Sequence, residues 1–297
     1  MQAPVTAIVT AYQRVEQTLA TLRILTACDP APAEILVHVD GNQTGTLQKL
    51  QAEFPGARYL LSEGNLGPGG GRNKLIAAAR HELVASFDDD SYPLDADYFA
   101  KAVTLFEQVP ETAIVNCQVF LPVDPLTAPL RRIEWSSDFC GGSCIYRREV
   151  FLGTSGYVPL PTAYGMEEVD LALRLHAAGH RILNTSLLRV FHDTDLSRHA
   201  HPEVTAGSIA NIALLTFLRY PVVLWPVGLF QLARRVSWLV THGRSKGVLA
   251  GFRRIPATLW MNRRHRQPLS LALVRSYLKL RRQPVPVPWP EALSAQG

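Results

Sequence analysis

The sequence predicts an α/β protein built on a mostly parallel sheet with helices on its faces, extended at its C-terminus by basic, apolar helices. Over the first half, short β-branched or apolar runs alternate with segments of helical period, the pattern of strand–helix–strand units. Several of these runs stop abruptly at polar residues, at Thr10-Ala11-Tyr12, Asp40-Gly41-Asn42 and Asp88-Asp89-Asp90. In open α/β sheets ligands gather at the ends of strands. Charge then divides the chain: from Thr205 onward there are 14 Lys and Arg and one acidic residue, Glu291, a net of +13, against −8 for everything before. Such asymmetry points to an anionic partner for the tail.

With 297 residues, 47% apolar and 19% charged, the chain can bury a full core and is too apolar for disorder. The organisation expected is a domain over 1–204 and a helical extension over 205–297. Met1-Gln2-Ala3-Pro4 leads straight into an apolar strand without the features of a signal peptide, so a cytoplasmic location is expected, with Cys28, Cys117, Cys140 and Cys144 reduced. Cys140 and Cys144 lack the second close pair that a structural zinc site needs.

Residues 5–12 read as the first strand, Val15–Ala27 as a helix, 34–39 as a strand ending at Asp40, 47–54 as a helix and Arg58–Leu61 as a weak strand. The stretch Asn65-Leu66-Gly67-Pro68-Gly69-Gly70-Gly71-Arg72-Asn73 then reads as a glycine-rich loop before a helix over 74–83. Glycines there let backbone approach a ligand and present N–H groups to an anion, and Arg72 adds a guanidinium suited to a diphosphate. The stretch is neither a P-loop nor a dinucleotide fingerprint. A plain glycine-rich cap is the competing reading.

The apolar run 83–87 delivers three adjacent carboxylates, Asp88, Asp89 and Asp90, to a strand end. They would repel one another unless a cation sits among them, and hard divalent ions take oxygen ligands. A solvated acidic turn is the alternative. Residues 98–109 read as a helix and 113–121 as a strand; Gly141-Gly142 precede another apolar strand. A helix opens over 164–176 with Glu167, Glu168 and Asp170 in its first turn, which could simply complement the helix dipole. A strand over 181–191 ends in His192-Asp193.

Together, across roughly residues 5–195, these segments resemble the family-2 glycosyltransferases, inverting enzymes of the nucleotide-diphospho-sugar transferase (GT-A, Rossmann-like) fold. The resemblance is carried by Ile8-Val9-Thr10-Ala11-Tyr12, Val39-Asp40-Gly41, the glycine stretch 65–73, Asp88-Asp89-Asp90, Gly141-Gly142 with Arg147-Arg148, and Glu167-Glu168-Val169-Asp170-Leu171. It implies that Thr10, Ala11, Tyr12 and Asp40 line the nucleotide pocket, with Gly67, Arg72, Asn73, Asp88 and Asp89 also at the nucleotide-sugar. It implies a divalent cofactor, Mn²⁺ or Mg²⁺, on Asp88, Asp90 and His192, and an acceptor region at Gly141 and Gly142. The general base implied is Glu168, with Glu167 beside it as the other candidate, where many relatives carry Asp.

The activity implied is inverting transfer of a sugar from a nucleotide-sugar, UDP by default with dTDP and GDP open, to a glycan or lipid-linked hydroxyl in cell-surface polysaccharide synthesis. The apolar runs 209–218 and 220–233 are each too short to span a bilayer, and Pro221 and Pro226 oppose one straight helix. Trp225, Trp238 and Trp260 among many arginines suit helices lying on a membrane surface. Peripheral association with the inner face of the cell membrane is expected, without nucleic acid as a partner; packing on the catalytic domain or in a homo-oligomer is the alternative. Residues 284–290 read as extended. The rivals are a sugar nucleotidyltransferase, disfavoured by the absence of a phosphate loop after the first strand, and a catalytically silent binding module anchored by its tail.

Overall fold

β1 (Ala3–Ala11) is buried along nearly its whole length, as a central parallel strand covered on both faces must be. Its side chains alternate between two apolar layers: Val5, Ala7 and Val9 face one, Ile8 the other. The computed structural model describes residues 2–126, 132–160, 166–195 and 201–289. Tyr164, Gly165 and Pro290 lie outside the described residues.

From β1 the chain passes through α1 (Val15–Ala27) to β2 (Pro32–Val39), α2 (Thr44–Glu53) to β3 (Arg58–Leu61), and α3 (Gly67–Ala78) to β4 (Leu83–Asp88). β4 returns to the other side of β1, so the order β3-β2-β1-β4 is parallel with its reversal between β1 and β4. That reversal leaves a crevice beyond the strands' carboxyl ends. β5 (Ser91–Pro93), α4 (Tyr98–Gln108), β6 (Thr112–Phe120), β7 (Ile133–Ser136), β8 (Ser143–Arg147), α5 (Arg148–Leu152), α6 (Glu167–Ala177) and β9 (Arg181–His192) follow. β8 is antiparallel to both β4 and β6, whereas β6 and β9 are parallel, so β8 runs against an otherwise parallel central sheet. β5 pairs antiparallel with β9 and sets Ser91 opposite His192, joining the acidic turn to the distant histidine.

The helix expected over 74–83 begins instead at Gly67, and the glycines form its first turns. Packing explains the difference. A Cβ on Gly69 would lie 2.3 Å from Glu167 Oε2 and 2.9 Å from Tyr157 Cβ, so α3 seats against the loop before α6 only without a side chain there.

The tail is α7 (Pro202–Arg219), α8 (Trp225–Thr241), α9 (Val248–Asn262) and α10 (Leu271–Arg282), with β10 (Val285–Pro286). The boundary expected at 204/205 falls inside α7, and α7 is no appendage. Leu214, Leu215 and Leu218 share one apolar cluster with Leu171, Leu173 and Leu175 of α6. Arg219, which interrupts the apolar run in the sequence, is 1% exposed; its Nε and Nη2 donate to the Asp170 carboxylate at 2.5 and 3.2 Å. Asp170 also holds Arg174, at 2.8 Å. The extended stretch after α10 adds to the sheet edge, β10 lying antiparallel to β7. Among the described residues no helix is long and apolar enough to cross a membrane.

Removing one partner of a buried ion pair leaves the other charge uncompensated. Asp170→Asn strands two arginines and is expected to lower unfolding stability by about 3–5 kcal/mol. Arg219→Met leaves Asp170 its Arg174 and should cost less; equilibrium urea unfolding of both variants checks the order.

Candidate active site

The crevice at the β1/β4 reversal is a cavity of about 330 Å³ lined by Thr10, Ala11, Tyr12, Arg14, His38, Asp40, Asn65, Gly67, Pro68, Asp88 and Asp89. The parallel register places Thr10 between His38 of β2 and Asp88 of β4, so three strand ends deliver their polar residues together. The phenol of Tyr12 stands 44% exposed, a flat surface at the mouth. Asp40 closes the floor: its carboxylate accepts from the Leu66 N–H at 3.0 Å, the Gly67 N–H at 3.0 Å and the Ser62 hydroxyl at 2.6 Å. It therefore caps α3, and the helix N-terminus that the sequence offered to an anion is answered from within. Gly67 takes φ +70°, a backbone conformation suited to a residue without a side chain.

The three aspartates differ in surroundings. Asp88 accepts from Thr10 Oγ1 at 3.2 Å and from Arg72, whose Nε donates to Ser86 Oγ at 3.1 Å. Asp89 is buried, accepts from the Tyr12 N–H at 3.3 Å, and is gripped by Arg14, whose Nε donates at 3.0 Å. Burial pushes the Asp89 carboxyl up to about 7 against the pull of Arg14. Asp90 Oδ2 accepts from Arg14, and Oδ1 lies 3.2 Å from His192 Nε2. Burial opposes ionisation of Asp90, but His192 and Arg14 overcome it and hold the carboxyl below its ordinary range.

The cations that the acidic run requires are thus, in part, Arg14 and Arg72. Arg14 carried no signal in the sequence; only the turn after β1, where Gln13 has φ 61°, swings it back over the aspartates.

A divalent ion can be tested against these donors. Among the described residues no group of three or more His, Cys, Asp or Glu side chains converges as a ready cage. Asp88 is already held by Arg72. Asp90 and His192 do meet, and Asp90 Oδ1 is buried without an aligned hydrogen-bond donor. A hard oxygen beside an imidazole is a fitting partial donor set.

Arg72 links this strand end to α6. It is 2% exposed, and its Nη1 lies 3.7 Å from Glu167 Oε1. It does not line the cavity, contrary to a direct grip on a diphosphate. Glu167 is fully buried with Oε2 unpartnered, whereas Glu168 is partly exposed with Oε1 accepting from the Gly141 N–H at 3.4 Å. Burial drives both carboxyls upward against Arg72, and the neighbouring Glu168 charge drives Glu167 further. Gly141 and Gly142 are packing positions against these charges: a Cβ on Gly142 would meet Asp88 Oδ2 at 2.2 Å. Asn73 is turned away from the cavity. Its side-chain amide is paired both ways with the Tyr157 backbone, at 2.8 and 2.9 Å.

The sequence model described as Glycosyl transferase family 2 matches residues 6–153. Through this segment the chain belongs to glycosyl transferase family 2. The O-antigen biosynthesis protein RfbC of Myxococcus xanthus is 35% identical over 156 residues, which are 43% of this chain and 12% of that protein. The chain thus spans about an eighth of that relative's length. Among solved structures, GalNAc-T7 with UDP, GalNAc and Mn²⁺ superposes with a TM-score of 0.57 at 11% identity, covering 74% of this chain and 49% of its own. Mannosyltransferase PcManGT from Pyrobaculum calidifontis, in complex with GDP-Man and Mn²⁺, gives 0.53 at 14% identity over 94% of this chain and 79% of its own. The shared GT-A fold places the family segment on β1 to α5, which carry the cavity and all three aspartates. Glu167, Glu168 and His192 lie beyond it.

Gly142→Ala should force Asp88 aside and lower stability by about 1–3 kcal/mol, as overpacking does. Gly45→Ala, in α2 with nothing within 4 Å of its Cβ, is expected to be neutral or mildly stabilising in the same urea titrations.

Proposed function

We propose that this protein is an inverting glycosyltransferase that moves a sugar from a nucleoside-diphosphate donor to a hydroxyl of a glycan or lipid-linked acceptor. The observation that carries the reading is the position of Arg72, whose guanidinium joins Asp88 at the mouth of the cavity to the carboxylates that open α6. A donor nucleotide seated over Thr10, Ala11, Tyr12 and Asp40 would direct its diphosphate toward the aspartates, and its sugar toward Gly141, Gly142 and Glu168. Acceptor attack then requires a carboxylate on the opposite side of the sugar from the leaving group.

Glu168 suits that role better than Glu167. It is the one with solvent access, while Glu167 is sealed under α3 beside Arg72. Glu168 takes the hydroxyl proton at a carboxylate oxygen as the acceptor attacks; the Gly141 N–H orients that carboxylate. Arg72 balances the standing charge of Glu167 and holds Asp88 in register. Asp90 and His192, with Asp88 across the strand end, are the residues that would hold a divalent ion, which when bound neutralises charge on a departing diphosphate. The relative in O-antigen biosynthesis supports a cell-surface glycan as the acceptor class. The nucleotide is inferred to be UDP, with GDP and dTDP as the alternatives to be measured.

For the tail we infer association with a membrane surface. Large apolar side chains stand in water along α8 and α9, among them Leu229 at 65%, Phe230 at 63% and Trp260 at 68% exposed, interspersed with arginines. Exposed apolar patches of this kind mark interaction surfaces, and aromatic residues with basic neighbours suit a headgroup layer.

A general base must be unprotonated, so transfer should fall as pH drops through a limb lying above the ordinary carboxylate range, because the Glu168 carboxyl is raised. Glu168→Gln should lose about 10²–10⁴-fold in kcat and lose that limb. Glu167→Gln should keep the limb; its disappearance there instead would reassign the base. Thermal unfolding with UDP, GDP or dTDP, each with Mn²⁺ or chelator, gives the donor without needing the acceptor. A cation-dependent rise in Tm for one nucleotide, lost in Asp90→Ala, is expected, since a ligand of the native state stabilises it. No rise with any nucleotide would overturn the donor site.

A further inference from the structure

α8 separates two clefts of opposite character. On one flank lies a cavity of about 210 Å³ lined wholly by uncharged side chains, including Phe217, Trp225, Leu229, Leu232, Ile255 and Leu259. On the other lies a cavity of about 600 Å³ between α6, α7, α8 and α10, into which Arg234, Arg235, Arg281 and Arg282 all project a lining surface. Val169, Ile212, Leu215, Leu278, Phe230 and Trp238 give it apolar walls. No acidic side chain lines this basic cleft.

The arginines are poorly neutralised. Among the described residues Arg234 and Arg282 have no carboxylate within ion-pair distance, and Arg281 reaches Asp138 only at 3.9 Å with both side chains about half exposed. Arg235 donates to Ser208 Oγ at 3.0 Å, a neutral partner. Its guanidinium lies 4.9 Å from the Trp238 ring centre, and that of Arg244 lies 5.7 Å from the same ring. Burial and the neighbouring Arg244 charge hold the Arg235 guanidinium below its usual range, the direction expected where positive charge lacks a counter-ion. Guanidiniums recognise phosphate through paired donors. An apolar-walled cleft lined by exposed Phe230 suits a phosphate that carries acyl chains rather than a free ion.

We propose that the cleft between α8 and α10 binds the phosphate of an anionic bilayer phospholipid, with the α8 crest entering the acyl layer beside it. The inference rests on the membrane reading of the tail and sharpens it from a diffuse basic surface to one headgroup site.

Vesicle co-sedimentation of the full-length protein tests it. Wild-type protein should partition onto phosphatidylcholine vesicles containing phosphatidylglycerol and not onto phosphatidylcholine alone. Arg234→Glu/Arg282→Glu should lower that partitioning roughly tenfold or more, and Arg234→Gln/Arg282→Gln by an intermediate factor, with Tm unchanged. Lys246→Glu/Arg253→Glu makes the same charge change on exposed tail residues outside the cleft, and should cost only a few-fold. Equal losses in the two Glu pairs would overturn the site and leave the membrane reading standing. Absence of wild-type binding to the charged vesicles would overturn both. Capture only by phosphatidylcholine vesicles doped with a polyprenyl phosphate would overturn the bilayer phospholipid as the ligand.

Discussion

Arg72 is the residue on which the two halves of the site depend. Its guanidinium is buried at 2% exposure, between Asp88 at the end of β4 and Glu167 at the start of α6. Withdrawing such a cation from water costs several kcal/mol unless carboxylates replace the lost hydration. The two carboxylates in turn could not stay so close without it. Burial and opposing charge therefore fix one geometry, in which the strand end and the helix start are held at a set separation. On the proposed reading, the donor and the base would lie at the two ends of that separation.

The glycines around Arg72 follow from the same constraint. Gly69 lets α3 approach Glu167, and Gly142 lets the turn before β8 approach Asp88. Each sits where a side chain would push a carboxylate away from the guanidinium. Asp40 completes the arrangement from the other side, because by accepting the N–H groups of Leu66 and Gly67 it fixes the start of the helix that carries Arg72. The cavity at the strand ends and the buried charges are thus two faces of α3.

Much of this was legible in the sequence, and what was not has a physical reason. Strand ends could be read because burial on both faces leaves continuous apolar runs that stop at polar residues, as at Asp40 and Asp88. The start of α3 was misplaced because glycine propensity argues against a helix, whereas the packing against Glu167 demands one without side chains. Arg72 and Asn73 sit in a motif that suggests ligand contact, yet their partners, Asp88, Glu167 and the Tyr157 backbone, are internal. Arg14 was invisible because its role arises from a turn conformation and a fold contact to Asp89 and Asp90. Arg219 looked like a break in an apolar run. A charge inside such a run is equally the mark of a buried pair, and only the position of Asp170, 49 residues earlier, distinguishes the two.

That last pair ties the tail to the chemistry. α6 begins with Glu167 and Glu168 and, within its first turn, carries Asp170, which holds Arg174 on its own helix and Arg219 at the end of α7. One turn of helix is therefore gripped at two points, by Arg72 from the sheet side and by Arg219 from the tail side. The basic cleft and the exposed apolar crest of α8 begin a few residues beyond Arg219, after a turn at Pro221. A force applied to the tail at a surface would reach the candidate base through a buried ion pair and a shared apolar cluster rather than through a flexible linker. Were α8 to rest on a membrane as proposed, the tail would set how the mouth of the site faces that surface, the orientation that an acceptor anchored there would need.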